Sequence, residues 1–276
     1  MSNREQEYVL GTGTDELERL GIQHRLWSDA AHAAWKRAGV RPGQSVLDVG
    51  CGPGYASFDL AMMVGRAGRV LGIDESSNFI AFLNAQAQSR HLPQLHGVVG
   101  DVQSMGSAAG IDQGAFDLAY ARWVLCFVPR PEAVIAQMAR ALRPGGRVVL
   151  HDYFNYESMA MAPRRKAWEK VVAATAHSWR ARGGDPDVMG RAPAMLKQAG
   201  LRVESVEVHQ RVARAGESMF TWPETWWRIY TPKLVQMGLV TQAECDELMR
   251  DLDELANDPH QFMTCPPVFE VIATKA

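Results

Sequence analysis

The segment Asp48-Val-Gly50-Cys51-Gly52-Pro-Gly54 sets three glycines at alternate positions, two residues behind a carboxylate. It stands between a short apolar run, residues 45–49, and a stretch of helical spacing, residues 55–64. Glycines let the backbone turn sharply and approach a ligand closely. A loop of this kind alone fits several nucleotide-like cofactors. Two neighbours narrow the choice. Tyr55 occupies the place where a dinucleotide fingerprint has its last glycine. Asp48 would repel a pyrophosphate and attract an ammonium. The chemistry asked for is a nucleoside ligand with a cationic tail and no phosphate.

Two further acids stand in register with the loop. Asp74, in Gly72-Ile-Asp74-Glu75-Ser76, follows Gly54 at about the distance expected of an acid that accepts from ribose hydroxyls. Asp101, in Gly100-Asp101-Val102, can accept from an adenine amino group while the backbone N–H of Val102 serves a ring nitrogen. Gly-Asp alone is an ordinary turn. S-adenosylmethionine (SAM) carries an adenosine and an ammonium but no phosphate, so it meets these demands. A nicotinamide-dependent oxidoreductase and a non-catalytic SAM-binding regulatory protein are the rival readings.

Methyl transfer is an in-line displacement that depends chiefly on placing the nucleophile on the axis. A phenol, alcohol or ammonium acceptor also needs a base. His151 is the best-placed candidate, at the carboxyl end of an apolar run, with a packed structural histidine as the alternative. Asp152 can orient it or bind substrate, and Tyr153 and Tyr156 can line a pocket. Residues 220–230 hold Trp222, Trp226 and Tyr230, either a lid over an aromatic acceptor or rings that anchor this segment to the sheet. Trp27 joins the acceptor-side candidates. His24, His177 and His209 have weaker claims.

The elements that must carry these residues alternate. Strands are expected at 45–49, 69–73, up to 98–99, from 116 and at 147–151. Helices are expected at 14–35, 55–64, 77–89 and 131–142. On the first helix Leu17, Leu20, His24, Trp27 and Ala31 share a face. Alternation of this kind predicts an α/β protein with a mostly parallel sheet covered on both faces. Beyond it, 157–182 reads as mainly helical, 192–198 as a short helix, 201–214 as a strand and 269–274 as the last strand. Three regions follow: 1–40, an N-terminal helical segment over the cofactor; 41–215 with 268–276, the core; and 216–267, a helical insertion serving as a substrate lid. The 276 residues suffice for a core without disulfides or metal. A net charge of −2 gives no footprint for nucleic acid. Cys51, Cys126, Cys245 and Cys265 form no CxxC pair, so a reducing, cytoplasmic setting with no metal is expected. No apolar run suits a signal peptide or a membrane span.

The set Val46–Gly54 (VLDVGCGPG), Gly72–Ser76, Gly100–Val102, Phe116–Pro129 and Leu142–Phe154 resembles the class I SAM-dependent methyltransferase superfamily, with its motifs in family order. The resemblance implies a Rossmann-like, seven-stranded sheet whose last strand is antiparallel. It implies that the loop, Cys51 included, with Asp74, Glu75, Ser76, Asp101 and Val102, holds the cofactor. Ala121, Arg122 and Trp123 would lie beside it after the fourth strand. Tyr8, Arg19 and Gln23 sit in what looks like the segment many bacterial members fold over SAM; these three are expected to hold the methionine carboxylate, with a solvated helix face as the alternative. A small-molecule acceptor is the expected partner.

Overall fold

A computed structural model describes residues 14–108 and 110–276. Tyr8 lies outside the described residues. Among those described, strands β1 (Ser45–Val49), β2 (Arg69–Asp74), β3 (Leu95–Val99), β4 (Phe116–Arg122) and β5 (Leu142–Tyr153) lie parallel. Two more strands, β7 (Leu201–His209) and β10 (Val268–Lys275), complete a seven-stranded sheet of order β3-β2-β1-β4-β5-β10-β7. The last strand, β10, runs antiparallel to both neighbours.

Strand residues feed opposite faces in turn. Leu47, Leu71, Ala119 and Leu150 join one apolar cluster, while Val46, Val70, Leu118 and Val149 join the other. Burial on both faces is why these strands read as unbroken apolar runs and not as alternating ones. Helices α1 (Thr14–Arg37), α2 (Tyr55–Val64) and α3 (Ser77–Ser89) contribute Trp35, Phe58 and Leu83 to the second cluster, and α4 (Pro131–Ala141) contributes Val134 and Met138 to the first.

Three expectations about elements are corrected. Residues 157–182 are not one helix: β6 (Met161–Ala162) and Pro163 precede α5 (Lys166–Arg180). The 201–214 strand ends at His209, and the chain resumes as β8 (Val212–Ala213). With β9 (Phe262–Thr264) these form a second sheet of order β6-β9-β8, whose two- and three-residue strands are too short for periodicity to reveal. Leu142, expected in a helix, begins β5 because it pairs with Phe116 before the Pro144-Gly145-Gly146 irregularity. Helix α6 (Ala192–Gln198) packs on β7. Helices α7 (Thr221–Gln236) and α8 (Gln242–Asn257) pack on each other and on α5, and α7 also meets α1. Thr241 and Glu244 cap α8 reciprocally.

The glycine loop is where sequence constrains backbone most. Gly54 has φ +86° and a Cβ there would lie 2.6 Å from Leu83 on α3, whereas Gly43, also at φ +86°, has nothing within 4 Å. Gly54→Ala should therefore cost about 2–4 kcal/mol, strain plus overpacking, and Gly43→Ala only the strain of about 1–2 kcal/mol. Urea denaturation of the two variants measures the difference. Equal losses would rule out the Leu83 contact as the constraint.

Candidate active site

The carboxyl ends of β3, β2, β1, β4 and β5 open into one cavity. Four inter-strand steps separate the first of these strands from the last, a span of about 19 Å. Strand order therefore arranges its chemistry along a line: Asp101, then Asp74, then Asp48 and the glycine loop, then Arg122 and Trp123, then Tyr153. Helix α1 borders the cavity with Arg19, Gln23 and His24. Tyr55 ties it there, its hydroxyl donating to the Leu17 carbonyl at 2.9 Å. Gly21 allows the contact, since a Cβ on it would stand 3.2 Å from the Tyr55 ring.

At the acidic end Asp48 is 2% exposed. Burial pushes its carboxyl up to about 6, against the Ser57 hydroxyl that donates to Oδ2 at 2.5 Å and the Arg122 charge. Asp74 accepts the Gly52 N–H at 2.8 Å on Oδ2 and the Ser76 N–H at 2.9 Å on Oδ1. Each oxygen keeps a second lone pair. Burial raises this carboxyl also, opposed by those two N–H groups. Glu75 lines the same end, and burial and the charges of Asp74 and Asp101 raise its carboxyl. Asp101 Oδ1 accepts from the Gln103 N–H at 2.8 Å. Gly50, Gly52, Cys51 and Val102 also line this end. Burial keeps the Cys51 thiol protonated, its side chain seated over Gly72, where a Cβ would lie 2.8 Å from Sγ.

The other end is aromatic. Trp123 stacks on Tyr153 with ring centres 6.2 Å apart, and Trp222 lies 5.7 Å from Trp123. Tyr156 lies 5.3 Å from Tyr153 and 5.0 Å from Trp179, and Trp226 lies 5.9 Å from Trp179. Trp123 reaches the cavity through a left-handed backbone, φ +54°, its N–H donating to the His151 carbonyl at 2.8 Å. Sequence reasoning missed Trp179, Met159 and Pro266, which also line the cavity, as does Trp227 of the expected lid. The three missed residues come from α5 and the segments after β5 and β9, and no local signal joins them.

Several expected contacts are not with the cavity. His151 does not border it. Its ring, 2% exposed, meets the Tyr120 hydroxyl at 3.3 Å and Glu270 Oε2 at 3.1 Å. His209 Nε2 reaches the same Glu270 oxygen at 3.0 Å, and Arg37 donates to the other at 2.5 Å. Burial alone would raise the Glu270 carboxyl, but these donors hold it well below its ordinary range. His151 is pushed down by burial, against its Glu270 bond. The His151, His209 and Glu270 ligand atoms lie within 4.8 Å of one another, a spacing a metal can use. Arg37 already supplies the cation there, and each imidazole has its acceptor, so the cluster is complete as a hydrogen-bonded tie between β5, β7, β10 and α1.

Asp152 lies off the cavity too: its carboxylate accepts the N–H groups of Val124, Cys126 and Tyr153 and so shapes the turn after β4. Trp27 packs edge-on to Trp123 and Trp222 and, with His151, borders a separate small void. Tyr230 stacks on Trp226 at 4.7 Å and bonds Ser178 at 2.8 Å. Ser76 caps α3 by accepting from the Phe79 N–H. Gly54 starts α2. Arg19, expected to face a ligand carboxylate, is held by both oxygens of Glu16, and Gln23 accepts from Arg19 and from Trp222 Nε1 at 2.8 Å.

A family described as "Methyltransferase domain" matches residues 47–150. Nocamycin O-methyltransferase of Saccharothrix syringae is 33% identical over 229 residues, 77% of this chain and 79% of that protein. The chain belongs to the class I SAM-dependent methyltransferase superfamily. Demethylmenaquinone methyltransferase of Oceanobacillus iheyensis is 33% identical over 123 residues, 43% of this methyltransferase-family chain and 50% of that one. The chain spans between 31% and 50% of the length of three of the curated relatives it matches. Geranyl diphosphate C-methyltransferase of Streptomyces coelicolor A3(2), at 15% identity, shares the fold with a TM-score of 0.56, covering 92% of this chain and 82% of its own. Among the described residues no helix is long and apolar enough to cross a membrane.

Asp48 generates a prediction about stability whose sign follows from its raised carboxyl. Its folded value lies above its ordinary one, so its ionised form destabilises the fold above pH 6, and stability falls as pH rises from about 4 to 6. Asp48→Asn keeps an acceptor for Ser57 and should stabilise the protein at pH 7.5 by about 1–3 kcal/mol. Thermal melts at pH 4 and 7.5 check this; a variant less stable at pH 7.5 would show that the charge is compensated within the fold.

Proposed function

We propose that this chain transfers a methyl group from SAM to a small-molecule acceptor, an aromatic one by the character of the cavity's far end. One observation carries the reading: a single cavity has four carboxylates, Asp48, Asp74, Glu75 and Asp101, at the glycine-loop end and a continuous set of aromatic rings at the other. SAM fits the residues present. Asp48 suits an ammonium, Asp74 a pair of ribose hydroxyls and Asp101 an adenine amino group. The space above Gly52 is open, with nothing within 4 Å of where a Cβ would be. Arg122 Nη1 is buried without an acceptor among the described residues, so a ligand oxygen is wanted nearby.

When bound, SAM supplies an electrophilic methyl on a sulfonium that leaves as a neutral thioether. The protein's part is then positioning and exclusion of water. Trp123, Tyr153, Trp179 and Trp226 offer flat apolar walls that orient a planar acceptor. Burial pushes the phenols of Tyr153 and Tyr156 well above their ordinary value, so at neutral pH they donate hydrogen bonds and do not take protons. The position of His151 outside the cavity leaves it without a part in this reading. The four buried, unpaired cysteines support a reducing setting, the cytoplasm.

The test is SAM binding by calorimetry, followed by transfer of labelled methyl to a panel of aromatic and aliphatic metabolites. Asp74→Asn should weaken SAM about tenfold, the scale of a lost charge-assisted hydrogen bond. Trp226→Ala should raise the acceptor KM with SAM affinity unchanged. Tight SAM binding with no transfer to any acceptor would favour the regulatory reading instead.

A further inference from the structure

We propose that Arg122 receives the carboxylate of the cofactor's amino-acid tail and that His24 is the positioning residue that aims it. The proposal rests on the SAM reading above.

Among the described residues two arginines border the cavity, Arg19 and Arg122. Arg19 is already engaged: Nε and Nη2 donate to the two oxygens of the buried Glu16 at 2.7 and 2.6 Å. Its charge is neutralised within α1. Arg122 differs. Its Nη2 meets Nδ1 of His24 at 3.0 Å, its guanidinium lies 4.9 Å from the Trp123 ring, and its Nη1 is buried with no acceptor among the described residues. A guanidinium has only donors, so the orphan nitrogen calls for an acceptor brought by a ligand.

The arrangement of His24 follows from its other nitrogen. Nε2 lies 3.0 Å from Asp59 Oδ2, which also holds Nε2 of His32 at 2.7 Å. A carboxylate only accepts, so the His24 proton sits on Nε2 and Nδ1 presents its lone pair to Arg122. The exposed His32 and half-exposed Asp59 thus brace a buried imidazole, and the imidazole in turn occupies one end of the guanidinium fork. What remains is one nitrogen with a fixed direction.

The neighbouring charge identifies the ligand group. Asp48 and Arg122 stand at the ends of paired strands, β1 and β4, close enough for the arginine to pull the Asp48 carboxyl down against its burial. An acid and a guanidinium side by side match the ammonium and carboxylate of one α-amino acid. Arg122 accordingly takes the place that the sequence reading assigned to Arg19.

Calorimetry with two ligands separates this arrangement from mere structural support. S-adenosylhomocysteine carries the amino-acid tail; 5′-methylthioadenosine shares its nucleoside and thioether and lacks the tail. Arg122→Met should weaken S-adenosylhomocysteine about tenfold or more and leave methylthioadenosine within about twofold. His24→Phe keeps a ring against Tyr55 but offers no acceptor; it should weaken the first ligand by about three- to tenfold and spare the second. His24→Asn, whose amide oxygen can stand in for Nδ1, should recover most of the loss. The double variant of His24→Phe and Arg122→Met should bind no more weakly than Arg122→Met alone. Parallel losses for both ligands, or losses that add in the double variant, would overturn the assignment while leaving the SAM reading intact. Should His24→Phe fail to fold, the Arg122→Met comparison decides by itself. Native protein that binds neither ligand would instead overturn the SAM reading.

Discussion

A carboxylate held out of water at the end of an apolar strand is the constraint on which the rest of the site depends. Asp48 is the penultimate residue of β1, an interior strand flanked by β2 and β4. Burial opposes its charge, and Ser57 and Arg122 only partly offset the penalty, so the carboxyl is left near 6. In the proposed reading a cationic ligand group completes the compensation, and binding relieves a stability cost that the fold keeps, a common condition of sites built for charged ligands. Gly50 lets Val124 pack against the loop, since a Cβ there would lie 2.4 Å from its side chain, and Ser57 on α2 fixes the orientation of the Asp48 oxygens.

The second consequence of sheet order is separation along one cavity. Groups that suit a nucleoside lie at the ends of β1 to β3, and rings lie beyond β4. Trp123 marks the changeover, and its left-handed φ is strain held in place by the His151 carbonyl and the rings around it. Asp152 supports the same turn from below by accepting three backbone N–H groups. Burial pushes its carboxyl up to about 6, so this acid too is kept at a cost. Its use is to give the turn after β4 a defined shape.

His151 shows how a correct local observation can lead away from the site. It does stand near the carboxyl end of β5, where open α/β sheets gather ligands. A strand, however, sends successive side chains to opposite faces. The His151 ring falls on the face of Val149 and Tyr120, where Glu270, Arg37 and His209 meet it. The residues are chemically rich, yet their bonds close on one another.

By itself the sequence determined the alternating elements, the glycine loop and the three acids in register with it. All of these depend on neighbours a few residues apart: a turn that needs positive φ, a strand buried on both faces, an acid at a strand's end. Tertiary structure decided which side chains share the cavity. Trp179 from α5, Trp226 from α7 and Tyr153 from β5 meet only because α5, α7 and α8 pack together over the sheet. It also decided that Arg19 is held by Glu16 while Arg122 has a buried Nη1 with no acceptor among the described residues. Both arginines look alike in sequence, since the charge of a guanidinium is local but the partner that neutralises it is set by where the chain brings the next acid.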